Sequence, residues 1–248
     1  MATSAHIYNC KITHLPPHML KIKIIPPVPT QPATVDLRSK MSPVYDMGQL
    51  GSSTANALCA AFEYDNPGFM GSRLFLYYNE RMLEKPIPDN ACAMLSDSVK
   101  SMQKYGLCLE SEWPYDISKF DMKPLGECYV DDSMHKAVTA SNIAFNLADM
   151  KNALASGFPF VVAIAVYESF ESLEVAQTGI VPMPKAGEAL LGGHAVLVVG
   201  YNDVNQQFIV RNSWGANWGD KGYFYLPYAY MTDPYMVTEL WNITKVQP

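Results

Sequence analysis

The period of the apolar residues changes half-way along the chain, and this constrains the fold more than any other feature. In the first half, Ala55, Leu58, Cys59 and Phe62 follow an i, i+3, i+4, i+7 pattern behind Ser52 and Ser53, two residues suited to cap a helix. Asn66-Pro67-Gly68 closes that segment. Residues 73–84 predict a second amphipathic helix and 95–105 a third, which stops at Gly106. In the second half, Phe160 to Val166 and His194 to Tyr201 are continuous β-branched and apolar runs. Asn202-Asp203 turns the chain into Gln207 to Asn212, and Gly222 to Leu226 follows a glycine-rich loop. Helices followed by strands predict an α+β, two-lobed plan: a mainly helical lobe over about 35–130 and a mainly β, antiparallel and barrel-like lobe over about 131–248.

Residues 1–34 read as a proline-rich arm. Pro16, Pro17, Pro26, Pro27, Pro29 and Pro32 remove backbone donors and fix φ, so this segment is expected to run extended over the surface. The whole chain, 248 residues with 49% apolar and 17% charged side chains, has a globular profile and enough length for a substantial core. A net charge of −6 without clustered Lys or Arg argues against a nucleic-acid partner. No apolar run approaches the roughly 20 residues that span a bilayer, and Leu20 to Ile25 is interrupted by Lys21 and Lys23. The first residues lack the basic start and apolar core of a signal peptide. The expected setting is therefore cytoplasmic or another reducing compartment, and the Asn242-Ile243-Thr244 acceptor triplet carries no weight. Five cysteines at irregular spacing, none in a C-x-x-C pair, speak against a disulfide framework and a structural zinc site. Without an H-E-x-x-H, P-loop or G-x-G-x-x-G pattern, no metal or cofactor is expected. The sequence is silent on oligomeric state.

Three short stretches carry the chemistry. Asp46-Met47-Gly48-Gln49-Leu50-Gly51-Ser52-Ser53-Thr54-Ala55-Asn56 leads into a helix, and an anion or nucleophile at a helix N-terminus is favoured by the dipole. Gly192-Gly193-His194-Ala195-Val196 opens a strand with small residues that admit the close approach of another backbone or a substrate. Asn212-Ser213-Trp214-Gly215-Ala216-Asn217-Trp218-Gly219 follows another strand, where an amide can orient an imidazole. With Val35-Asp36-Leu37-Arg38 and Trp113-Pro114-Tyr115, these motifs resemble the papain-like cysteine peptidases (peptidase C1) over most of the chain from Val35 to about Leu226. Leu50, where secreted members have a disulfide cysteine, is similar to the branch found in bacteria, archaea and large DNA viruses.

The resemblance implies a papain-like fold with a cleft between its lobes that takes a peptide or protein. It places Ser53 at the nucleophile position, His194 as base, Asn212 as its orienting partner, Trp214 as the shield of that hydrogen bond and Met47 at the oxyanion-donor position. Two of these depart from the family pattern. A serine hydroxyl does not ionise near neutral pH, and the neutral Asn212 lends an imidazolium little support. A thioether donates no hydrogen bond, and losing one oxyanion donor costs roughly 3 kcal/mol, about a hundredfold in rate. Gln49 is no evident substitute, because the branch carries a glutamine there as well.

Little or no peptide-bond hydrolysis is therefore expected, the cleft serving to bind peptides or as a structural component. One alternative is an active cysteine endopeptidase whose nucleophile has been changed to serine, which leaves Met47 unexplained. Another is a serine-type hydrolase or acyltransferase, which requires a further oxyanion donor. Among the remaining cysteines, Cys59 lies about 240° round the helix from Ser53 and is expected to face the core. By resemblance, Cys92 borders the cleft. His14, His18 and His135 read as satisfied core histidines, Tyr77, Tyr78, Tyr223 and Tyr225 as packing, and Glu110, Glu112 and Asp116 as a solvated loop. The arm is long enough to lie across the cleft in place of the long helical pro-segment usual in the family.

Overall fold

A computed structural model describes residues 6–245 except 15, 17, 18, 85–89, 91 and 131–137. His18, His135 and residues 1–5 of the arm lie outside the described residues. Three helices, α1 (Ser53–Asp65), α2 (Arg73–Glu84) and α3 (Leu95–Tyr105), form one side of the molecule. The other side is built on strands β1 (Thr34–Asp36), β2 (Val138–Asn142), β3 (Phe160–Tyr167), β4 (Leu190–Asn202), β5 (Gln207–Arg211), β6 (Tyr223–Pro227) and β7 (Val237–Lys245). Short helices α4 (Leu147–Ala155), α5 (Leu173–Thr178) and α6 (Tyr228–Met231) flank the strands. All strand pairs are antiparallel, in the order β2-β7-β3-β4-β5-β6, with β1 added to β4. The fold is α+β, with the helices first in the chain and most strands after them.

The unbroken apolar runs of β3 and β4 are explained by burial on both faces. Val161 and Ala163 of β3, with Ala195, Leu197 and Val199 of β4, join the core under the helices. Phe160, Val162, Ile164 and Val166, with Val196 and Val198, join a second core with Met150, Phe170, Phe224 and Tyr230. Helix α1 lies between the lobes and packs on β3, β4 and β7. The sequence predicts one apolar stripe on α1, but every residue from Ser53 to Glu63 is buried. Its alanines, serine, threonine and cysteine are small enough for close approach on all sides, so burial outruns the periodic pattern. Ser52 stands at the N-cap without a side-chain cap bond. Its hydroxyl instead meets the Tyr115 phenol and accepts from Asn56 Nδ2 at 3.0 Å.

The arm is pinned at successive points. Ile22 bridges Asn142 of β2, with Lys23 N–H donating to its carbonyl at 2.8 Å and its own N–H donating to Lys21 O at 2.7 Å. Asn152 of α4 then takes the Val28 N–H at 3.0 Å and donates to the carbonyls of Ile25 and Pro26. The Asn142 backbone and the Asn152 side-chain amide thus satisfy an extended backbone that has no ladder of its own. No helix among the described residues is long and apolar enough to cross a membrane.

Candidate active site in the interlobe cleft

Ser53 begins α1, His194 lies in β4 and Asn212 follows β5, so the topology brings three sequence-distant positions together. The Asn212 Oδ1 accepts the Ser213 N–H at 2.8 Å and also lies 2.8 Å from His194 Nε2. Because the atom facing an N–H must be the amide oxygen, Nε2 of His194 carries the proton and Nδ1 presents a lone pair. That is the tautomer a general base requires. Nδ1 is buried without a hydrogen-bond partner. Trp214 stacks over the imidazole with ring centres 4.9 Å apart, and Trp214, Trp218 and Phe170 pack against one another around it. His194 is held well towards its neutral form: burial pushes its pKa down to about 4, with the Asn212 hydrogen bond opposing and the charge of His6 adding to the shift.

The opposite wall differs. Ser53 Oγ accepts the Ala195 N–H at 3.2 Å and lies 3.7 Å from Cys92 Sγ. Met47 is fully buried in the second core, its Sδ taking the Ser213 hydroxyl at 3.4 Å and its N–H donating to Ser213 O at 2.9 Å. Tyr115 OH donates to the Met47 carbonyl at 3.0 Å.

The cleft is filled by the arm. Cys10 N–H donates to Gly193 O at 3.2 Å, and Asn9 and Cys10 both bridge Gly193. A Cβ on Gly193 would lie 2.0 Å from Cys10 O, and one on Gly192 would lie 2.0 Å from Tyr8 O. The glycine pair thus admits a backbone, as its composition suggests, and that backbone is the chain's own. Asn9 Nδ2 donates to Asn90 O at 2.7 Å, while Asn90 Oδ1 takes the Gly51 N–H at 2.7 Å. His6 stacks on Trp214 at 3.8 Å and its Nδ1 lies 2.9 Å from Glu171 Oε1, to which Tyr8 OH also donates. Tyr8 stands edge-on to His194, ring centres 6.2 Å apart. Under this cover His194 is 0% and Ser53 3% exposed, so neither is open to solvent.

Several expectations are corrected by these contacts. Most of the arm's described residues run along the surface, but Tyr8–Cys10 enter a cleft whose glycines offer backbone pairing, the path across the cleft that its length allows. His14 is exposed, its Nε2 2.7 Å from Pro234 O, because the chain has left the cleft by then. Glu110 is half-buried rather than solvated: it takes Arg73 Nη2 at 2.6 Å and the N–H groups of Arg73 and Tyr115. Cys59 faces the core and Cys92 borders the cleft, as expected. Sequence reasoning did not single out His6, Asn90 or Glu171; only the glycine pair signalled that a backbone would dock here.

Residues 31–233 match the model of the papain family cysteine proteases. The chain belongs to that family. It is 42% identical over 241 residues to a peptidase C1-like protein of Acanthamoeba polyphaga mimivirus, a match covering 92% of this chain and 77% of the relative. It is 29% identical over 204 residues to cysteine proteinase 3 of Entamoeba histolytica, covering 80% of this chain and 64% of that protein. Its structure is similar to xylellain, a cysteine protease from Xylella fastidiosa, with a TM-score of 0.86, 35% identity and coverage of 97% and 96% of the two chains. The family match begins after the cleft-filling part of the arm, whereas the xylellain match takes in nearly the whole chain.

Proposed function

We propose that this papain-family chain is a peptide-binding protein with little or no peptide-bond hydrolysis, held latent by its own arm. Ser53 stands at the nucleophile position, His194 at the base, Asn212 and Trp214 as its supports and Met47 at the oxyanion position. The observation that carries the reading is the hydrogen bonding of Ser53: its hydroxyl is engaged by Ala195 N–H and lies against Cys92, while His194 Nδ1 has no partner. Attack by serine requires transfer of its proton to that imidazole. A histidine held neutral can accept a proton but gains little support as imidazolium from a neutral amide. Met47 adds no donor for an oxyanion.

A second reading, a competent cysteine endopeptidase whose nucleophile has become serine, is favoured by the intact His194–Asn212–Trp214 arrangement. The arm's backbone pairing at Gly193 supports an extended polypeptide as the cleft's ligand class under either reading. The test is cleavage of a broad peptide library by the parent chain and by Ser53→Cys, Met47→Gln and double variants, each with and without residues 1–30. No activity in any of the set supports the peptide-binding reading; thiol-inhibitor-sensitive activity in Ser53→Cys alone replaces it with the second.

A further inference from the structure

Cys10 rides on the arm and Cys92 lies in the cleft wall, and each thiol acts on the other's ionisation. Two independent anchors keep them there. Cys10 is held by its N–H bond to Gly193 O, and its Sγ points to Ala93 O at 3.8 Å. The loop carrying Cys92 is tied to the same piece of arm through Asn9 and Asn90 at 2.7 Å. Both residues are buried and both thiols are free. We propose that Cys10 and Cys92 form a redox latch, in which oxidation joins the two sulfurs and locks the arm in the cleft, and reduction frees it. The inference rests on the reading of the arm as the cleft's occluding segment.

The chemistry balances with hydrogen peroxide as oxidant. The Cys92 thiolate attacks one peroxide oxygen, giving a sulfenic acid and, after proton uptake, water. Cys10 sulfur then displaces the sulfenic hydroxyl as a second water, forming the S–S bond and losing its own proton. A low-molecular-weight thiol such as glutathione reverses the step, two molecules supplying the electrons and leaving as their disulfide. The surroundings suit this division of roles. Burial opposes ionisation of Cys92, but its interactions with Cys10, the Ser53 hydroxyl and the Thr54 backbone outweigh it and hold its pKa below the ordinary thiol value. Cys10, through its interaction with Cys92 and then burial, is pushed well above. Thr54 Oγ1, 3.7 Å from Cys92 Sγ, donates at 2.7 Å to Glu80, whose buried carboxyl burial holds towards the neutral form. Bridging needs the two sulfurs at roughly 2.05 Å, and Cys10 Sγ already lies 3.8 Å from the carbonyl of Ala93, the residue next to Cys92.

The molecule contains an internal control: Cys108 and Cys128 are a second pair of thiols that act on each other's ionisation. The test is to treat the full chain with peroxide, quench, map disulfides by mass spectrometry without reduction, and measure trypsin cleavage after Lys11. Expected are a Cys10–Cys92 linked peptide reversed by glutathione, and arm cleavage slowed by roughly tenfold or more, since cutting requires local opening of the arm. Both effects vanish in Cys10→Ser and in Cys92→Ser. A bridge confined to Cys108–Cys128, a Cys92 oxidised only to sulfinic acid, or a Cys10–Cys92 bridge with unchanged arm cleavage overturns the latch. The readout does not use Ser53 chemistry. If peptides bind equally well with and without the arm, the occlusion reading fails by that assay alone, whereas the mapped bridge stands or falls separately.

Discussion

The two walls of the cleft have kept different things. On the β wall, His194, Asn212 and Trp214 hold the geometry of an acid–base site. Ser53 at the start of α1, and Met47 in the loop before it, stand where the family's nucleophile and oxyanion donor are expected. The β-wall residues are also structural: Asn212 closes the turn to Ser213, and Trp214 packs with Trp218 and Phe170. Changing them disturbs a core as well as a site. Ser53 has no such packing partner among the aromatic rings, and Met47 sits fully buried against Ser213.

Changes at Ser53 and Met47 should have the largest effect. If the β wall is competent, Ser53→Cys in a chain lacking residues 1–30 raises peptide cleavage by about a thousandfold or more, measured with a fluorogenic library; a null result shows that the β wall is a relic as well. Adding Met47→Gln contributes about a further hundredfold in kcat through the regained donor. An unchanged kcat places the glutamine away from the oxyanion.

Acid comes next. His194 has a pKa of about 4 under the arm against an ordinary 6.5, so the open state binds more protons between those values. Closure is therefore fully stabilised above pH 6.5 and weakens as pH falls towards 4, by at most about 2 kcal/mol at pH 5, the value if the arm supplies all of the burial. The lowered pKa of Glu171, where burial is outweighed by bonds from His6 and Tyr8, adds its own loss only at more acidic pH. Hydrogen exchange of the Cys10 amide should accelerate on acidification once corrected for intrinsic rate, and His194→Gln should flatten the response above pH 5. The smallest effect is steric. Gly193→Ala places a methyl against Cys10 O and should weaken arm docking by about 1–2 kcal/mol, read as faster cleavage after Lys11 with little change in Tm.

Much of this architecture is legible in the sequence. Helices α2 and α3 fall at the residues their amphipathic patterns predict, and β3 and β5 start where their apolar runs start. Local periodicity suffices there because each element buries a face of its own. The His194 and Asn212 motifs, far apart in sequence, are brought within hydrogen-bonding distance. What stayed hidden depends on partners that local pattern does not encode. Glu110 looks solvated until Arg73 is folded against it, and the arm's prolines specify an extended path without specifying what it runs beside.

The arm's covalent attachment to the domain it covers has a further consequence. A tethered segment competes with free peptides at an effective concentration set by its connection and not by how much protein is present. The cleft therefore sets an affinity threshold: a free peptide must bind it better than Tyr8–Cys10 do at that standing concentration. Any ligand this protein selects is one that outcompetes a sequence the gene itself encodes.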